Sequence, residues 1–248
     1  MDKINFDFKN RTALVTGGAQ GFGLDIAKRF LQSGAKVIIW DIDQKMIEKA
    51  EKDLNNSNLK SKIVDVSNYK EVQSSVNEIT KNSNIDILIN NAGITGPTAT
   101  LWEYDIEIWK KVVDINLMGT FNCCKAIVPS MIERGLGHIV NMGSTSGIKA
   151  DAQRTAYAAS KFAIHGFSES LRRDYAGKGI RVTEINPGIV RTDFAEVRWG
   201  DSGLAEKFYE TFDDFMEPED IAAAILYALT QPARVNVAQI VLMQSSML

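Results

Sequence analysis

Thr16-Gly17-Gly18-Ala19-Gln20-Gly21-Phe22-Gly23 is the stretch that decides how this chain of 248 residues is read. It follows a short β-rich run, Arg11-Thr12-Ala13-Leu14-Val15, and leads into apolar residues at helical spacing, Ile26, Ala27, Phe30 and Leu31. A strand, a glycine turn and a helix start together form an anion site. Glycines let the backbone approach a pyrophosphate closely, and the exposed N–H groups and helix dipole favour its charge. A merely tight turn is the alternative, and the strand–helix context argues against it. A dinucleotide site needs an acid roughly twenty residues on, at the end of the next strand. Lys36-Val37-Ile38-Ile39-Trp40 reads as that strand, and Asp41 follows it. A carboxylate there accepts hydrogen bonds from both ribose hydroxyls and repels a 2′-phosphate, so NAD rather than NADP is expected. No Arg or Lys sits in the glycine turn or beside Asp41.

Outward from this turn, strand and helix signals alternate without a break in composition. Further strands are expected at 60–64, 85–89, 138–142, 180–185 and 239–243. Helices are expected at 44–54, 69–80, 106–134 with a break, 155–177 and 218–229. Near-continuous apolar strands alternating with helices mean a parallel sheet covered on both faces, an α/β fold. With 45% hydrophobic residues, the chain can bury one sizeable core, so residues 1–248 are expected to form one domain. The net charge of −3 offers no basic field for nucleic acid or for an anionic membrane. The first residues lack the apolar core of a signal peptide, and no run of about 20 apolar residues occurs, so a cytoplasmic protein is expected. Cys123 and Cys124 lack metal-site spacing and read as core packing; no metal site is expected. His138 and His165 lie outside any His or Cys cluster and read as structural.

Tyr157 and Lys161 stand four apart, which in a helix puts phenol and ammonium on one face. A phenol with a pKa of about 10 is a poor base at neutral pH. A fixed positive charge nearby favours the phenolate and makes proton exchange with an alcohol or carbonyl feasible. Alone, such a pair is common on solvated helix faces. Ser144, thirteen residues earlier, ends an apolar strand and offers a hydroxyl to a substrate oxygen, with Thr145 and Ser146 as near alternatives. Asn116 interrupts an apolar helical run, where an amide is locally disfavoured. Asp65 either lies by the cofactor or caps the helix starting near Asn68.

Taken in order, the glycine turn, Asn90-Asn91-Ala92-Gly93, Asn116, Ser144, Tyr157 with Lys161, and Asn186-Pro187-Gly188 resemble the short-chain dehydrogenase/reductase family over nearly the whole chain. The resemblance implies a doubly wound Rossmann fold with strand order 3-2-1-4-5-6-7 and hydride transfer between NAD and a small-molecule alcohol or ketone. It implies Asn116, Ser144, Tyr157 and Lys161 as the catalytic set, Asn116 marking a helix break and holding a water that carries protons to Lys161. It implies cofactor contacts from Gly17, Gln20, Gly21, Phe22, Gly23, Asp41, Ile42, Asp65, Val66, Asn91, Ala92, Gly93, Tyr157, Lys161, Pro187, Gly188, Val190 and Thr192. A dimer through the two long helices, often paired into a homotetramer, is implied as well.

The substrate is less sharply indicated. The centre of the chain looks most like reductases of 3-oxoacyl thioesters and of simple alcohols or sugars. The last third departs from them. Val190 to Arg198, Pro218 to Ile221 and Leu229 to Val237 resemble the branch oxidising small 3-hydroxy acids, including serine. The aromatic-rich stretch Phe194 to Met216 reads as a lid over the substrate, and Lys149, Arg154, Arg191 and Arg198 are candidates for a carboxylate clamp. A small hydroxy compound is therefore expected, with a 3-oxoacyl-thioester reductase as the alternative. Arg134 and Arg173 would be the residues docking a carrier protein there. A silent NAD-binding sensor is the remote reading, disfavoured because Ser144, Tyr157 and Lys161 are all present.

Overall fold

Strand β1 (Thr12–Thr16) sends Ala13 and Val15 to one side of the sheet and Leu14 to the other, each fully buried. Successive side chains on a strand point opposite ways. In β2 (Lys36–Asp41) and β4 (Ile87–Asn90) the division repeats: Val37, Ile39, Ile87 and Ile89 join one apolar cluster, and Ile38, Trp40 and Leu88 the other. With β3 (Leu59–Ile63), β5 (Gly137–Met142), β6 (Ile180–Pro187) and β7 (Gln239–Leu242), these strands form a seven-stranded parallel sheet in the order 3-2-1-4-5-6-7. The computed structural model describes residues 8–191, 202–212 and 214–247.

Helices cover both faces. The first cluster is closed by α1 (Gly21–Gln32), α2 (Gln44–Leu54) and, past α7 (Ser202–Tyr209), by α8 (Pro218–Thr230). The second is closed by α3 (Tyr69–Thr80), by α5 (Gly119–Arg134), which follows α4 (Ile106–Val113), and by α6 (Thr155–Asp174). The break expected in the run from Ile106 to Arg134 is a π-helical turn, Asp114–Met118, with Asn116 buried at its middle. Strand β6 runs two residues past the expected Ile185, because Asn186 and Pro187 pair with Val241 and Leu242 of β7. Asn68, not Asp65, caps α3 by accepting from Lys70 and Glu71 N–H; the Asp65 carboxylate instead accepts from Ser67 N–H and O–H.

Charged side chains stitch elements together inside this frame. Arg134 donates to Asp86 and to the Ile85 carbonyl, both at 2.6 Å, while Asp86 accepts from Thr12 N–H at 3.0 Å. Arg134 is thus committed to joining α5 to the start of β4, and Arg173 pairs with Glu169 at 2.7 Å. Arg181 donates to the carbonyls of Leu229 and Gln231, tying the orphan C-terminal carbonyls of α8 to β6. Among the described residues no helix is long and apolar enough to cross a membrane, and no cluster of His, Cys, Asp and Glu could hold a metal.

His138 is buried in β5, its Nε2 2.8 Å from Thr183 Oγ1, which itself donates to the Val237 carbonyl. The hydroxyl proton being used, the imidazole must donate from Nε2, leaving buried Nδ1 without a partner. Burial first, and then the nearby Arg181 charge, push its pKa down to about 3. In the unfolded chain a histidine takes up its proton near pH 6.5. Between these values the unfolded state binds one more proton, so stability falls as pH drops below about 6.5 and levels off near 3. By pH 4.5 this group costs about 2–3 kcal/mol. Urea unfolding at pH 7 and pH 4.5 should show that loss in the wild type and not in His138→Gln. Equal losses in the two proteins would refute the assignment.

Candidate active site

The glycine turn is held from two directions. Asn91 Nδ2 donates to the carbonyls of Thr16 and Gly17, both at 3.0 Å, and Thr16 Oγ1 accepts from Asn91 and Ala92 N–H. A Cβ on Gly23 would overlap the Gly17 carbonyl oxygen, so helix and strand meet at a separation only glycine permits. Gly17 and Gly21 take φ +59 and +52, the left-handed region that favours glycine. A Cβ on Gly21 would meet no protein atom within 4 Å, so the turn opens outward there. Gln20 at the N-cap of α1 makes no side-chain cap, and no acid sits in the first helical turn; α2, α3 and α4 are capped by Asp43, Asn68 and Asp105. Helix α1 therefore keeps its N–H groups and positive dipole end for an external anion, which fits a dinucleotide pyrophosphate.

Asp41 ends β2 and is buried. Its carboxylate accepts from Ala19 N–H at 3.2 Å, Ile42 N–H at 2.8 Å and Asp43 N–H at 3.2 Å, fixing it beside the glycine turn. Ile42 is exposed and Phe22 is partly buried against the core. Val66 is buried beneath α5, where a Cβ on Gly119 would strike it, and Asn122 donates to the carbonyls of Val66 and Ser67. Asp65 lies on the same β3–α3 turn. Gly93 sits against Asn116, whose Oδ1 accepts from Ile94 N–H at 2.8 Å and whose Nδ2 donates to the Ile94 carbonyl at 2.9 Å.

Tyr157 and Lys161 share one face of α6, and the Lys161 ammonium lies 5.6 Å from the centroid of the Tyr157 ring. Lys161 is buried and donates to the Met142 carbonyl at 2.7 Å. Burial pushes its pKa down; the facing Tyr157 and Glu184 push it back up. Asn116 reaches the same helix through Ser160, donating to Ser160 Oγ at 3.0 Å, and Ser160 donates to the Tyr157 carbonyl at 2.8 Å. Ser144 follows Met142 and Gly143 at the end of β5; its N–H donates to Asn186 Oδ1 at 2.9 Å, and its Oγ accepts from Ser146 N–H. Gly147 packs against the Lys161 backbone, where a Cβ would come within 2.8 Å of the Lys161 carbonyl oxygen. The four residues expected to be catalytic are thus joined through Ser160, Gly147 and Met142. Pro187 and Gly188 continue from β6 beside them, Pro187 accepting from Thr145 Oγ1 at 3.4 Å and Gly188 N–H donating to Leu242. Val190 accepts from Tyr209 O–H at 3.2 Å. Thr192 lies outside the described residues, as do Phe194 to Asp201 and Asp213 of the expected lid.

Of the clamp candidates, Arg154 is distinguished by position. Its guanidinium lies 4.7 Å from the Tyr157 ring centroid and 3.8 Å from Asp151. Arg191 pairs with Glu206 and lies over Tyr209 and Phe215, Lys149 is exposed, and Arg198 lies outside the described residues. The sequence reading missed Ser160, Asn122, Asn186 and Glu184 as parts of the site. Only the Asn186-Pro187-Gly188 motif could have flagged one of them.

Residues 11–202 match the model of a family described as short chain dehydrogenase. The NADP-dependent 3-hydroxy acid dehydrogenase YdfG of Escherichia coli is 39% identical over 227 residues, covering 90% of this chain and 91% of that one. An uncharacterized oxidoreductase of Staphylococcus saprophyticus is 35% identical over 239 residues, covering 94% and 97%. The closed form of a serine dehydrogenase complexed with NADP+ superposes with a TM-score of 0.89 at 37% identity, covering 94% of each chain. Levodione reductase superposes with a TM-score of 0.85 at 28% identity, covering 95% and 96%.

Proposed function

Because the chain belongs to the short-chain dehydrogenases, oxidoreductases acting on hydroxyl and carbonyl groups, we propose that it interconverts a small hydroxy acid and its ketone with NAD(H). The observation that carries this reading is the pair of cations on the Tyr157 ring, Lys161 at 5.6 Å and Arg154 at 4.7 Å. Tyr157 takes the hydroxyl proton in oxidation and returns it in reduction. Lys161 favours the phenolate by its charge and holds the cofactor ribose. Ser144 hydrogen-bonds the substrate oxygen, and Asn116 anchors the π-turn against Ile94. The nicotinamide, when bound, supplies the hydride exchange.

Arg154 is a second, half-buried cation at the proton-exchanging phenol, and the Lys161 charge is already used there. A guanidinium matches a carboxylate in a two-pronged geometry, so it orients the acid group of the substrate. The hydroxy-acid reading is also supported by the two relatives whose names carry 3-hydroxy acid and serine. The thioester alternative loses support from Arg134, which is tied to Asp86 and to the Ile85 carbonyl. Helix α7 is read as part of a cover over the substrate, tied to the end of β6 through Tyr209 and Val190. Exposed Ile108, Phe121 and Phe162 on α4, α5 and α6 support assembly with further copies through these helices.

NAD over NADP rests on Asp41, held by backbone N–H groups where an added 2′-phosphate would meet its charge. NADP is the second reading, favoured by the names of the relatives. Rates with NAD and NADP against a panel of 3-hydroxy acids, serine and uncharged alcohols test both halves. The expected result is a preference for NAD of at least about tenfold. Arg154→Gln should raise KM for the acids by about ten- to a hundredfold and leave the uncharged alcohols unchanged. Equal or better use of NADP would sink the Asp41 argument, and an indifferent Arg154 variant would sink the acid.

A further inference from the structure

Strand β6 carries a carboxylate at a position where its apolar pattern offers no reason for one. Glu184 is fully buried. Its Oε2 accepts from His165 Nδ1 at 2.8 Å, with Gln239 Nε2 at 3.5 Å, while Oε1 is buried without a hydrogen-bond partner. That free oxygen faces Gly143, where a Cβ would stand 2.8 Å from it. The residue before Gly143 is Met142, whose carbonyl holds the Lys161 ammonium at 2.7 Å. Carboxylate and ammonium therefore abut the same short segment at the end of β5.

Burying a carboxylate is costly unless opposite charge faces it, and an apolar or amide side chain would fill this position at lower cost. We propose that Glu184 is a positioning residue for the active site: anchored from the solvent side by His165, its buried charge keeps Lys161 an ammonium beside Tyr157. The direction of the Lys161 titration agrees, since burial disfavours its charged form and Tyr157 and Glu184 restore it. The groups against Glu184 are His165 from α6, the neutral amide of Gln239 from β7, and Gly143 after β5; the Lys161 ammonium, one residue along on the Met142 carbonyl, is the cation its charge acts on. Lys161 faces Tyr157 and Glu184, Tyr157 also faces the Arg154 guanidinium, 4.7 Å from its ring centroid and unchanged by the substitutions below, and half-exposed His165 also faces Glu169 one turn further along α6.

This inference rests on the reading that Tyr157 exchanges the substrate proton. Removing one negative charge makes the first proton easier to lose from the Tyr157–Lys161 pair taken together. It also shifts the remaining proton from Lys161 toward Tyr157, so less of the pair is the phenolate–ammonium form. In Glu184→Gln the acid limb of kcat against pH for alcohol oxidation should move down by about one pH unit. The plateau should fall about tenfold. Glu184→Asp draws the charge back by one methylene and should move the limb the same way by a few tenths of a unit; it carries the test if the Gln variant does not fold.

A limb that stays in place overturns the proposal, whether kcat falls or not, because a purely structural role lowers activity without moving the limb. Tyr157→Phe assayed in parallel separates the two levels. If it keeps its activity, the reading of the catalytic tyrosine fails. If it is inactive while the Glu184→Gln limb is unmoved, only the role of Glu184 fails.

Discussion

Replacing Tyr157 by Phe should lower kcat in both directions by about a thousandfold, within the range that a positioned general acid–base supplies. The substitution removes one oxygen and keeps the ring on which Lys161 and Arg154 lie, so packing around α6 is preserved. Cofactor binding should change by less than about threefold, since the ammonium of Lys161 and the cradle at α1 remain. The loss therefore belongs to kcat rather than to KM for the cofactor. Steady-state kinetics with a cofactor titration by fluorescence distinguishes these. A variant retaining more than a tenth of wild-type kcat would remove Tyr157 from the chemistry.

Gly23→Ala should weaken dinucleotide binding by on the order of a hundredfold and lower stability by about 1–3 kcal/mol, the usual range for overpacking. The new methyl would overlap the Gly17 carbonyl and come within 2.7 Å of Asn91 Nδ2, whose two hydrogen bonds hold the turn. Neither neighbour yields readily. Gly17 is already in the left-handed region, and Asn91 is tied to the end of β1. Gly21→Ala is the matched control. Its Cβ meets nothing in the protein, so it should fold with a penalty of about 1–2 kcal/mol for φ +52 yet obstruct a pyrophosphate. Calorimetric titration with NADH and thermal melts with and without it separate folding from binding. Wild-type affinity in Gly23→Ala would show that the turn does not hold the cofactor.

Much of the fold was legible because its signals are local. Glycines between a β-rich run and a helical run define the first unit, and the order of the motifs implied the sheet sequence 3-2-1-4-5-6-7 that is observed. Helices α2 and α3 begin where expected because Asp43 and Asn68 cap their N-termini, a feature visible within four residues. Element ends were less legible. β6 reaches Pro187 because β7 supplies partners, and a strand whose paired residues lie 55 positions on is invisible to a local pattern. The role of Asp65 was open for a similar reason, since its neighbour Asn68 took the cap and left Asp65 to bond Ser67.

Sequence by itself determined the fold class, the parallel sheet, the glycine cradle, Asp41 at the end of β2, and the placement of Tyr157 and Lys161 on one helical face. Each follows from spacing along the backbone, where periods of 2 and 3.6 dictate which way side chains point. Only the tertiary structure decided that Arg134 is spent on Asp86, that Arg154 lies over Tyr157, and that Glu184 is buried against Gly143 with His165 on its carboxylate. Those contacts join residues whose separation in sequence carries no information about distance. They arise from sheet order and register, and the charge of a buried group acquires its meaning only from what the fold sets against it.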